Sequence, residues 1–148
     1  MAARAIIGYI YCALCIMGLI SCIVSSDSMI YEHNGKTEIN NGKICFNIFA
    51  ITTILYTVTL IVGVVKRDVI IIQNYKQYVT AIFNFGLVAL LVTVFIFNEA
   101  FNWNLDATLG LMALVGIPLT VIHQLICVIA DVLLVYASNA SNEMRSDK

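Results

Sequence analysis

Three stretches of the chain, at about 5–24, 45–65 and 78–97, contain no Asp, Glu, Lys or Arg. Each is as long as the about 20 apolar residues that a helix rising 1.5 Å per residue needs to cross a bilayer. Hydrocarbon holds no water to bond the backbone, so a crossing chain bonds to itself, as a helix or a closed barrel. Barrel strands alternate polar and apolar side chains over about 10 residues, and these runs do not alternate. A fourth stretch, at about 109–137, has the same character but carries one acid, Asp131. The expected fold is therefore all-α: a four-helix transmembrane bundle forming one membrane domain over residues 1–148.

Composition supports lipid as part of the solvent. The chain is 61% hydrophobic and 11% charged, with a mean hydropathy of +0.93, whereas soluble domains carry about 25% charged residues. The net charge of −1 supplies no basic field for nucleic acid. The five cysteines, at 12, 15, 22, 45 and 127, sit mostly in apolar runs, where the thiol acts as a small hydrophobe. An odd count in such settings does not resemble a secreted disulfide framework. Cys22 and Cys45, each near an outer helix end, form one candidate structural bridge.

Arg4 before the first run, with Val24-Ser25-Ser26 after it, also fits a cleaved signal. Signal cores run about 7–15 residues, and this longer run contains Tyr9 and Tyr11, so an uncleaved span is preferred. Lys and Arg near span ends set orientation. Arg4, Lys66, Arg67, Lys76, Arg145 and Lys148 fall on one side, against Lys36 and Lys43 on the other. Both termini and a short inner loop at 66–77 are expected in the cytosol. The sequon Asn139-Ala140-Ser141 would then stay unmodified. In the first outer loop, at about 25–44, Asn34-Gly35 tolerates the positive φ of a type I′ turn. It predicts a small β-hairpin with Ile30 across from Ile39 and Glu32 across from Thr37; a solvated loop is the alternative. Asn41-Gly42-Lys43 reads as a turn into the second span.

Several polar and small residues recur at helical spacing within the spans: Gly8, Cys12, Cys15 and Cys22, with Gly18 at the margin; Thr52, Tyr56, Thr59 and Gly63; Thr80, Asn84 and Thr93. Small residues let helices approach and hydroxyls bond across them, so packing is the preferred account. In the fourth span Thr120, Gln124, Cys127 and Asp131 share one face, with His123 at its edge, and Pro118 is expected to kink the helix. An acid in a span suggests function by default. Asp131 is read first as structural, paired with Lys66, Arg67, Arg4 or a Thr or Tyr hydroxyl. The second reading is a proton or cation site with His123 and Gln124.

Cys12-Ala13-Leu14-Cys15 in a four-span protein resembles the redox pair of quinone-linked disulfide-forming enzymes and vitamin K epoxide reductases. Those families also need a shuttling cysteine pair in an outer loop, which is missing here. The Cys12–Cys15 pair falls in the cytosolic half of its span, away from an oxidising compartment. There is no Gly-rich phosphate loop, no His-x-x-x-His pair and no nucleophile elbow. His33 and His123 fall in different compartments. No cofactor, no metal site and no enzymatic activity are expected.

The layout of four spans, cytosolic termini, a longer first outer loop and a short basic inner loop resembles the MARVEL-type and claudin-like tetraspans. The small size, with Leu55-Tyr56-Thr57 in the second span and Asp131 late in the fourth, is similar to the snakeskin-like proteins of arthropod smooth septate junctions. The claudin pattern of a Trp, a Gly-Leu-Trp and two cysteines in the first loop is missing; the single Trp is Trp103. The resemblance implies a plasma-membrane protein that organises membrane or cell–cell contacts, with lateral membrane-protein partners or self-association. Ile30, Tyr31, Ile39, Phe101 and Trp103 are its candidate outer contacts, although Trp103 also suits the headgroup region. A rival likeness is to the proteolipid subunits of rotary proton pumps, which carry a membrane carboxylate in the last span. Those chains are glycine-rich and hold the acid nearer mid-span. The alternative function is accordingly proton- or cation-linked transport using Asp131.

Overall fold

The computed structural model describes residues 2–25, 30–33, 36–39, 41–101 and 105–146. Its elements are α1 (Ala2–Ser25), β1 (Ile30–His33), β2 (Lys36–Ile39), α2 (Asn41–Lys66), α3 (Val69–Phe101) and α4 (Leu105–Ser146). Each of the four helices is long and apolar enough to cross a membrane. The chain is a multi-pass, four-helix assembly of the kind integral membrane proteins adopt. Each helix packs on its neighbour in sequence, and α1 returns to α4, closing a ring of four. Between α1 and α2, β1 and β2 pair antiparallel, with Ile30 opposite Ile39 and Glu32 opposite Thr37. The Asn34-Gly35 turn lies outside the described residues. Asn41 and Gly42, expected in a turn, open α2 instead.

The short inner loop expected at 66–77 is not a loop. Only Arg67 and Asp68 separate α2 from α3. Arg67 takes the left-handed conformation, φ 54°. Its N–H bonds to Val64 O at 3.3 Å, and the Asp68 N–H bonds to Gly63 O at 2.9 Å, so the last carbonyls of α2 are satisfied as in a Schellman stop. Asp68 then starts α3. Its Oδ1 accepts from the N–H groups of Ile70 at 2.9 Å and Ile71 at 3.3 Å, which is how an N-cap satisfies orphan donors. The third span therefore begins well before Tyr78, and Gln73 to Gln77 lie on a helix.

The buried core joins all four helices near this tight turn. It comprises Cys12 of α1, Leu60 and Val64 of α2, Ile72 and Tyr75 of α3, and Leu133, Tyr136 and Ala137 of α4. Two glycines make the approach close enough. A Cβ on Gly8 would stand 2.7 Å from Leu133 Cδ2, and one on Gly63 would stand 2.9 Å from Ile71 Cγ2. Much of the outer surface is apolar: Phe85, Phe95 and Leu114 are 76%, 74% and 73% exposed. In water such a surface would aggregate; in lipid it is solvated. α4 runs unbroken through Pro118. Its 42 residues span about 63 Å at helical rise, roughly twice a hydrocarbon core of about 30 Å, so one end must project beyond it.

Candidate functional site

The polar residues of α3 and α4 meet in a seam because the two helices run antiparallel. Successive turns of α3 present Lys76, Thr80 and Phe83, while successive turns of α4 present Asp131, Cys127 and His123. Lys76 Nζ donates to Asp131 Oδ1 at 2.6 Å. Two turns of α4 away, the His123 ring stacks on Phe83 with centroids 4.1 Å apart and planes 12° from parallel. His123 Nε2 is 3.5 Å from Thr80 Oγ1 and 3.4 Å from Cys127 Sγ. The Thr80 hydroxyl already donates to Lys76 O at 2.9 Å. With the proton on Nε2, that nitrogen would donate to Thr80; the buried Nδ1 has no hydrogen-bond partner among the described residues.

The other polar residues expected on this face separate from the seam. The Thr120 hydroxyl donates to Gly116 O in its own helix at 2.8 Å. Gln124 is exposed. His123 and Asp131 are eight positions apart, about 12 Å along the axis, so His123, Gln124 and Asp131 do not form one contiguous path. Asp131 pairs with neither Arg4, Lys66 nor Arg67. Arg4 lines a shallow groove with it, while Arg67 places its guanidinium 5.3 Å from the centre of the Tyr136 ring.

A second polar cluster lies where α1, α2 and α3 face each other. The Tyr11 and Tyr75 hydroxyls are 2.7 Å apart, with the rings edge to face. Tyr56 stacks on Tyr78 at 3.8 Å, and the Tyr78 hydroxyl is 3.0 Å from Thr53 Oγ1. The hydroxyls of Thr52, Thr53 and Thr57 donate to carbonyls four residues back at 2.8–2.9 Å, and that of Thr59 to the carbonyl three back at 2.7 Å. Gly8 and Gly63 thus serve close approach, and the threonine hydroxyls of α2 serve internal bonding.

The cysteines divide by burial. Cys12 is fully buried in the core and Cys15 half-buried, and both are free thiols. Cys22 and Cys45, the candidate bridge, are both free thiols standing exposed on their helices. Of the candidate outer contacts, Trp103 lies outside the described residues. Only the backbone is described for Ile30, Tyr31 and Ile39 in the strands and Phe101 at the end of α3. Among the described residues, no three His, Cys, Asp or Glu gather as metal ligands would.

Sequence reasoning missed Lys76, Tyr75 and Phe83 as members of these clusters. Lys76, Thr80 and Phe83 follow one another at the four- and three-residue steps of a single helix face, a signal hidden by reading 66–77 as a loop. Comparison with known proteins returns nothing: no protein-family model, curated protein or solved structure matches this chain.

Proposed function

We propose that the chain is a non-enzymatic tetraspan of the plasma membrane that organises membrane or cell–cell contacts, in the manner of MARVEL-type and claudin-like proteins. Both termini and the Arg67-Asp68 turn face the cytosol, following the basic residues at that end. The observation that carries the reading is the Lys76–Asp131 pair. The one acid expected in a span is tied to the adjacent helix by a charge-assisted bond, which suits a part that fixes α4 against α3. The hairpin then lies on the outer face, with lateral partners in the same bilayer.

The rival reading is proton- or cation-linked transport through Asp131. One observation favours it: His123 Nδ1 is buried without a hydrogen-bond partner in the same seam. Imaging a tagged copy in its native tissue, alongside Asp131→Asn, separates the two. A contact organiser concentrates at cell–cell borders, and the variant either stays there or is lost through misfolding. A transporter variant reaches its membrane normally and loses pH-dependent flux. Uniform residence in an internal acidic organelle would count against the contact role.

A further inference from the structure

One face of α3 carries more polar character than the bundle uses. Gln73, Gln77 and Asn84 flank Lys76 and Thr80 along a groove of about 470 Å³, at the spacing of a single helix face. The three amides are exposed, and among the described residues none has a hydrogen-bond partner. Asn84 lies near the middle of the stretch Val69–Ile96 that is long and apolar enough to cross a bilayer. There, exposure means exposure to hydrocarbon. Each amide offers two N–H donors and an acceptor oxygen, and lipid tails can satisfy none of them.

We propose that this amide face of α3 is a lateral interface with a second copy of the chain. Copies inserted in one membrane share an orientation, so a two-fold axis along the normal brings each residue to its own counterpart at the same depth. A polar group is satisfied by its own image only if it both donates and accepts. Amides do; a bare lysine or carboxylate does not. Among the described residues Lys76 is the one charged residue lining the groove, and its charge is already held by Asp131 of the same chain. Ala81, also on the groove wall, is small enough to let two helices approach, and amides bonding across helices are a recognised source of association in lipid. A partner of different chemistry would be favoured by a net charge on this face, and it carries none. The inference goes beyond the contact-organising role and does not rest on it.

Full-length protein, reconstituted into phosphatidylcholine vesicles as donor- and acceptor-labelled populations, tests this as protein is diluted with lipid. Energy transfer should saturate with protein density, and Gln77→Leu combined with Asn84→Leu should weaken association at least tenfold. Asn84→Gln should restore it, and Met17→Leu on α1 should leave it unchanged. As a check independent of the folding of the double variant, Asn84→Cys should give interchain cross-linking above the wild-type level on mild oxidation with copper phenanthroline, and Met17→Cys should not. Energy transfer no greater than random proximity for the wild type, or a cross-link yield at position 84 equal to that at 17, overturns the proposal.

Discussion

Lys76 Nζ lies 2.6 Å from Asp131 Oδ1, so this pair joins α3 to α4 one turn of α3 and two turns of α4 from the contact between Thr80 and His123. Their side chains remain 34% and 55% exposed, so the pair is not enclosed by the bundle. Asp131→Asn and Lys76→Met should each destabilise the bundle, and the double variant should cost less than their sum. The expected coupling is about 1 kcal/mol, read from a double-mutant cycle on denaturation in detergent micelles. Additive losses would remove the pair from the structural account.

α1 approaches α4 closely at Gly8. Leu133 is fully buried, so its methyl groups have little room to move away from a new Cβ 2.7 Å distant. Gly8→Ala should cost about 1–3 kcal/mol through overpacking. Gly18→Ala meets nothing within 4 Å and should be neutral or mildly stabilising, as expected for replacing a helical glycine. Thermal unfolding followed by helicity checks the contrast, and equal effects would contradict this packing.

Tyr11 and Tyr75 satisfy each other within the bundle. Tyr75→Phe takes the Tyr75 hydroxyl from Tyr11, which keeps only the weaker Cys15 thiol as a side-chain partner, a loss of about 1 kcal/mol. Converting both to Phe should recover part of that, because no under-bonded hydroxyl is left. Equilibrium unfolding of the three variants reads the difference, and a double variant weaker than the two single losses together would argue against the bond.

Arg67 occupies a left-handed backbone conformation, φ 54°, while its guanidinium lies over Tyr136. Glycine relieves the backbone cost by roughly 1 kcal/mol, and loss of the cation–π contact removes about 0.5–1 kcal/mol. Arg67→Gly should therefore be near neutral in unfolding experiments. Arg67→Ala, which loses the contact without gaining the freedom, should be the less stable variant.

The existence of the four helices was legible because it depends on a property summed over some twenty positions. Single polar residues such as Thr57 or Gln124 do not disturb that sum. The start of α3 was not legible in the same way. Gln73, Asn74, Lys76 and Gln77 lower the hydropathy as a loop would, but Asp68 caps the helix ahead of them and they continue its spacing. Placing Lys76 in a loop then hid the partner of Asp131, and the nearer candidates by charge alone were Arg4, Lys66 and Arg67. Which of them meets the acid depends on the rotation of α3 against α4. That rotation is set by contacts such as Phe83 on His123, which hydropathy cannot report. The joining of Tyr11 to Tyr75 was hidden for the same reason: a tyrosine in an apolar run declares its need for a partner but not which helix supplies it.

The most direct test of the bundle as a membrane structure with a cytosolic end at Arg67 is epitope accessibility. Tags would be placed at each terminus and in the 25–44 loop, with membranes washed at alkaline pH beforehand. The protein should stay in the membrane fraction, the loop tag should be detected on intact cells, and both terminal tags only after permeabilisation, with Asn139 unglycosylated. Release by the alkaline wash, or terminal tags on opposite faces of the membrane, would contradict the account.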